Sequence, residues 1–124
     1  MKYATLVEDF MIRFPELDPL FQEELQFYEG KEMLPHCFLG DVLNCYVTEL
    51  LRKNTDQQQI QKIFNFYEEL ASSGDWNVSN LLQVTLLEYL WDEKPVYKNA
   101  LKYMLPNTRS FNNAIARYLE EPSL

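Results

Sequence analysis

Apolar side chains recur every three or four residues along nearly the whole chain, in runs cut apart by proline, glycine and small polar residues. Tyr3, Leu6, Val7, Phe10, Met11 and Phe14 begin the pattern. This spacing stacks side chains on one face of an α-helix, whereas a half-buried strand alternates with a period of two. No sustained alternation flanked by turn residues occurs. Only 3 of the 124 residues are glycine, too few for the many tight turns of a barrel or sandwich. The expectation is a single all-α domain over residues 1–124, large enough to bury one core.

Seven helices are expected. The first ends at Pro15. The second opens at Asp18-Pro19, read as a cap followed by proline, carries Leu20, Phe21, Leu25 and Tyr28, and closes at Gly30. These two are expected to form an antiparallel pair. A long third helix runs from Leu34-Pro35 to about Arg52, with Leu39, Leu43, Tyr46, Val47, Leu50 and Leu51 as its stripe. Phe38, Val42 and Cys45 widen it, so burial on two sides is expected. Gly40 lies inside it, where a small residue admits a close neighbour. Ile60, Ile63, Phe64, Tyr67, Leu70 and Ala71 give the clearest pattern of all. Ser73-Gly74 ends that helix, and Asp75 or Asn77 starts the next, whose core face holds Val78, Leu81, Leu82, Leu86, Tyr89 and Leu90. A short helix opens at Lys94-Pro95, and Pro106-Asn107 breaks it. Phe111, Ile115, Tyr118 and Leu119 mark the last helix, and 120–124 reads as a loose tail. Short links make successive helices antiparallel neighbours. The architecture is either an irregular bundle or a HEAT-like stack of helix pairs.

Charge excludes several classes of function. Lys and Arg number 11 against 19 Asp and Glu, a net charge of −8. Nucleic-acid binding rests on cationic contacts to phosphate, so nucleic acid is not an expected partner. Neither a G-x-G-x-x-G turn nor a P-loop can be written. Glu8 and Asp9 interrupt any signal-like apolar run at the N-terminus, and no stretch has the length of a membrane span. A cytoplasmic location is expected, without a membrane. Cys37 and Cys45 on one helix would stand roughly 12 Å apart, too far for a disulfide. They read as reduced, largely buried thiols.

No catalytic constellation emerges. His36 is the only histidine, and with the two cysteines it offers at most three zinc ligands where a structural site needs four. Adjacent residues on a helix point about 100° apart, so His36 and Cys37 do not form a nucleophilic pair. Glu8-Asp9, Glu23-Glu24, Glu68-Glu69, Asp92-Glu93 and Glu120-Glu121 are carboxylate pairs on polar faces, where nothing drives their pKa values apart. The chain reads as a non-enzyme with no metal and no cofactor.

The charges are unevenly placed. Between Ile63 and Glu93 there are six acids and no Lys or Arg. Lys94, Lys98, Lys102, Arg109 and Arg117 follow with no acid before Glu120. A second acidic block spans Glu8 to Glu32. Single-sign blocks either steer an oppositely charged partner or neutralise each other within the fold. Trp76 follows Asp75 and Trp91 precedes Asp92-Glu93, at the two ends of one helix, either as partner anchors or as caps on the core.

The run IFNFYEELASSGDWNVSNLLQVTLLEYLWDEKPVYKNALKYMLPNTRSF combines an amphipathic helix, a small-residue turn, an N-V-x-x-L-L-x-V helix, an acidic loop and an M-L-P-N-T turn. Over roughly Thr55 to Leu119 it resembles the small helical immunity proteins of bacterial polymorphic-toxin and contact-dependent growth inhibition systems. The resemblance implies an inhibitor that binds one cognate toxin domain, cationic and a nuclease. It implies Glu68, Glu69, Asp75, Glu88, Asp92 and Glu93 as electrostatic contacts, with Trp76 and Trp91 as anchors. The alternative is a helical adaptor that takes a peptide or partner helix in a groove between helix pairs.

Overall fold

The computed structural model describes residues 1–120, and every regular element among them is helical. The seven α-helices are α1 (Leu6–Arg13), α2 (Asp18–Leu25), α3 (Pro35–Lys53), α4 (Gln57–Ala71), α5 (Trp76–Leu81), α6 (Lys94–Leu101) and α7 (Pro106–Glu120). The single helix expected over Asp75 to Trp91 is continuous but changes its winding. After α5 come a π-helical turn, Leu82–Leu87, and a 3-10 segment, Glu88–Asp92. Apart from Glu120, which ends α7, the expected loose tail lies outside the described residues.

The central element is α3. Helices α1, α2, α4 and α6 and the π-helical turn all pack against it. The result is an irregular bundle around one helix. Phe38, Leu39, Val42, Leu43, Val47, Thr48 and Leu51 are buried and occupy most of its circumference. One narrow outward strip remains, and Asp41, Cys45 and Glu49 lie on it at successive turns. Both cysteines are therefore exposed free thiols rather than buried ones. Cys45 belongs to the polar strip, because burial of Val42 and Leu43 turns position 45 outward.

Where α1, α2, α3 and α4 meet, the core is aromatic. Phe10 lies 5.2 Å from Phe21, 5.3 Å from Phe14 and 5.6 Å from Phe66, centroid to centroid, and Phe21 lies 6.0 Å from Phe38. Tilted and edge-on pairs at this distance add about 0.5–1.5 kcal/mol each beyond their burial. Phe66 is off the stripe read from α4, yet it is buried because α1 covers a second side of that helix. Helices α1 and α2 meet through Phe10 and Phe21, but each lies mainly on α3, so the expected antiparallel pair is replaced by joint packing on the central helix. Asp18 is the first residue of α2 rather than its cap, and its carboxylate accepts from Gln22 Nε2 at 3.2 Å. Pro106 begins α7, five residues after α6 ends at Leu101, in keeping with the fixed φ that suits proline to a helix start. Tyr118 and Leu119 are exposed on α7, whose buried side is Thr108, Asn112 and Ile115. Tyr89 is also largely outside the core, as the altered winding after Leu82 rotates it outward.

Gly40 has the role its size suggests. A Cβ there would come within 3.0 Å of Thr85 Cγ2. At this crossing Asn44 Nδ2 donates to the Thr85 carbonyl at 3.0 Å, and His36 Nδ1 lies 2.6 Å from Thr85 Oγ1. A π-helical turn leaves the normal backbone ladder incomplete, and Asn44 satisfies a carbonyl within it. His36 is thus a helix-start residue bracing the bundle.

Candidate functional site

The acidic stretch 63–93 is built largely into the fold. The Glu68 carboxylate sits at the N-terminus of α7. Its Oε1 accepts from the Thr108 backbone N–H at 2.8 Å and the Thr108 hydroxyl at 2.9 Å, and its Oε2 accepts from the Asn107 N–H at 3.0 Å and Nδ2 at 2.9 Å. A helix start presents unpaired N–H groups and a partial positive charge, so a carboxylate from another helix serves as its cap. Partial burial opposes the charge, but the donors of Thr108 and Asn107 hold this carboxyl below its usual range. Asp75 caps α5, accepting from Asn77 N–H at 2.9 Å and Val78 N–H at 3.4 Å, while its second oxygen takes the Tyr3 N–H at 3.1 Å. The Tyr3 amide is the main reason that its pKa is lowered.

The remaining residues of this stretch divide. Glu69 forms a two-pronged ion pair with Arg13 of α1. Glu93 forms another with Arg52 of α3, at 2.6 and 3.1 Å, which keeps its carboxyl below the usual range. Trp91 is half-buried, stacks on Tyr97 with centroids 4.1 Å apart and donates its indole N–H to Asn112 Oδ1 at 3.2 Å. Asn112, fully buried, donates in turn to the Tyr97 hydroxyl at 2.8 Å. Glu88 is half-buried and Asp92 exposed, and neither has an ion-pair partner among the described residues. Trp76 is 72% exposed. It begins α5, whereas Asp92 ends the 3-10 segment at the other end of the same run. Four of the six carboxylates of this stretch therefore find partners within the fold: Glu69 in Arg13, Glu93 in Arg52, Glu68 at the start of α7, and Asp75 at the start of α5 and the Tyr3 amide. No ion pair joins them to Lys94, Lys98, Lys102 or Arg109 among the described residues.

A different acidic face remains unneutralised. Glu23 and Glu24 of α2 approach Asp41 of α3 along a groove of about 400 Å³. None of the three has a cationic partner among the described residues. Partial burial, then the hydrogen bond and charge of Asp41, then the charge of Glu23, push the Glu24 carboxyl up to about 7. Leu20 and Val42 lie in the same groove, and Phe27 at its edge is 72% exposed. A second groove, of about 320 Å³, lies on the other side of the α3 strip, against Tyr89, Asp92, Glu93 and Val96. Cys45 and Glu49 border both grooves, so the two form one face along α3. Glu49 is held by Arg52 at 2.5 Å and Lys53 at 3.0 Å.

Of the residues expected from sequence, Asp92 and Glu93 border this face, whereas Glu68, Glu69, Asp75, Trp76, Glu88 and Trp91 are not among the residues lining either groove. Glu23 and Glu24 belong to a carboxylate pair of the second acidic block read from the sequence, whereas Asp41, Glu49 and Phe27 were not singled out by sequence. Asp41 and Glu49, the two acids of α3, eight residues apart and so on one face of the helix, were the available signal. Among the described residues no three His, Cys, Asp or Glu side chains converge to hold a metal ion, and no helix is long and apolar enough to cross a membrane.

The chain belongs to the family described as "Domain of unknown function (DUF7674)", whose model matches residues 7–120. The match takes in α2 and α3 as well as the C-terminal half. No curated protein and no solved structure matches the chain.

Proposed function

We propose that the protein is an immunity protein: an inhibitor with no reaction of its own, which binds one cationic toxin domain, a nuclease, in the cytoplasm. The observation that carries this reading is the unneutralised set Glu23, Glu24 and Asp41 beside the exposed ring of Phe27. Like charges held together without a cation raise the energy of the free protein, and a Lys- or Arg-bearing partner relieves them. Apolar side chains within an acidic rim supply the buried contact area that charge alone does not. The resemblance of Thr55–Leu119 to immunity proteins supports the class of partner. The net charge of −8 supports its sign, because nuclease sites bind phosphate and are cationic. In this reading Asp92 and Glu93 extend the acidic rim, while Glu68 and Asp75 keep their neighbours in place.

The test is calorimetric titration with each cationic nuclease domain encoded by the genes flanking this one, together with an assay of that domain's activity. The expected result is stoichiometric inhibition whose affinity falls steeply with salt. Failure of the wild-type protein to bind or protect removes the immunity reading. The apolar floor formed by Leu20 and Val42 favours the second reading, an adaptor for a peptide or partner helix. Binding with a weak salt dependence would select it.

A further inference from the structure

Helix α3 has unlike charges beside its two ends. Next to its first half, Glu23 and Glu24 of α2 face Asp41, and no cation joins them among the described residues. At its last turn the sign is reversed. Asn99 Nδ2 of α6 donates to the Leu51 carbonyl at 2.8 Å, and Lys102 Nζ donates to Asn99 Oδ1 at 3.2 Å, so the Lys102 ammonium stands beside the end of α3. Lys98 lies one turn earlier, on the exposed side of α6. Neither lysine has a carboxylate partner among the described residues. Between the two ends Arg52 and Lys53 hold Glu49 and Glu93, while Asp92 has no ion-pair partner. Ten residues, about 15 Å of helix, separate Asp41 from Leu51.

We infer that the open side of α3 binds a second copy of this chain about a two-fold axis near the middle of the helix, so that Glu23, Glu24 and Asp41 of each copy meet Lys98 and Lys102 of the other. The inference goes beyond the proposed function and does not rest on it. A purely cationic partner fits only the acidic end of this face. The whole face fits a partner that carries both signs in the same order, and a two-fold rotation presents the chain to itself in that order. The area suffices. Helix α3 has 19 residues and is about 28 Å long. With a flanking helix about 10 Å away on each side, the face approaches the roughly 800 Å² that each partner gives to a specific pair. The exposed Phe27 ring at its edge adds apolar contact. The net charge of −8 repels copies at long range, but at physiological ionic strength screening over about 8 Å removes most of that repulsion and spares pairs in contact. The pair is therefore weak, monomeric at micromolar and dimeric near millimolar concentration. Because the acidic end serves both partners, a cognate toxin domain displaces the second copy.

Sedimentation velocity of the protein alone, over that concentration range at physiological ionic strength, is the test. The wild type is expected to pass from the monomer mass to twice that mass. Glu24→Lys with Asp41→Lys, and separately Lys98→Glu with Lys102→Glu, are each expected to weaken the dimer about tenfold or more, since each sets like charges against one another. The first pair brings the net charge from −8 to about −4, which lowers overall repulsion, so a loss of dimer there is a loss of contact. The variant carrying all four reversals restores the opposite signs and is expected to dimerise as the wild type does. An equimolar mixture of the two double variants is expected to form a mixed dimer, which keeps the test open if the fourfold variant fails to fold by circular dichroism. A wild type that stays monomeric throughout, a dimer indifferent to both reversals, or folded variants whose opposite charges do not restore association would overturn the inference. None of these outcomes touches the immunity reading, which is tested with the nuclease domain and with the protein dilute and monomeric.

Discussion

Residues 63–93 and the α2–α3 face are both rich in carboxylates, yet the first region uses them to join helices and the second leaves them facing one another. Glu68 alone accepts four hydrogen bonds at the start of α7. Glu24, Asp41 and Glu23 have no cation between them among the described residues, and Glu24 is pushed up to about 7. A run of acids in a sequence therefore says little about function until each carboxylate has been traced to its donor. An acid with donors in the fold lowers the energy of the folded state. One pressed against like charges without such donors raises it, and on the proposed function a cationic partner relieves it.

The contrast can be broken most severely through the partner. On the proposed function, Glu24→Lys combined with Asp41→Lys is expected to weaken binding to a cognate toxin domain about 100-fold or more, because like charges brought together at an interface cost several kcal/mol. Calorimetry reads this, with circular dichroism confirming the fold. An unchanged affinity returns the interface to the 63–93 region.

Next in size is the loss of Glu68. Glu68→Ala removes the cap of α7 and is expected to cost about 2 kcal/mol in urea unfolding, a cap of this kind being worth about 0.5–2 kcal/mol and charged hydrogen bonds somewhat more. Asp75→Ala is expected to lower the melting temperature by less. It should also speed hydrogen exchange at the Tyr3 and Asn77 amides, which donate to that carboxylate. Normal protection at Tyr3 would show that the N-terminal segment is held by packing alone.

The smallest effect is a pH dependence. The folded-state pKa of Glu24, about 7, lies above its ordinary 4.5. The folded state therefore binds the proton more tightly than the unfolded state. The stability that this contributes is complete below pH 4.5 and is lost as the pH rises through about 7. Water screens these carboxyls, so the whole change stays below about 1 kcal/mol. Unfolding measured at pH 5 and pH 8 should show this decline in the wild type and its absence in Glu24→Gln.

Helix number, most helix boundaries and the role of Gly40 were legible from spacing, because an amphipathic stripe is a local property. What escaped was set by neighbours. Phe66 is off its helix's main stripe and becomes core only because α1 covers that side. Cys45 fits an apolar stripe by type, but α3 turns it outward when its other sides are taken. The candidate site escaped for the same reason. Glu24 and Asp41 lie on different helices, and nothing in either segment shows that they meet. Arg13 and Arg52 are remote in sequence from Glu69 and Glu93, which is why the 63–93 stretch looked free of counter-charge.

The contrast between the two regions is tested most directly by making the same chemical change in each. Differential scanning calorimetry at pH 8 and low salt would compare Glu68→Gln with Glu24→Gln. Each variant trades one carboxylate for an amide of the same shape. Glu68→Gln is expected to lower the melting temperature by about 4 °C, and Glu24→Gln to raise it by about 1–2 °C. Midpoints that fall together would mean that the α2–α3 carboxylates also hold the fold, and would contradict the assignment of that face to a partner.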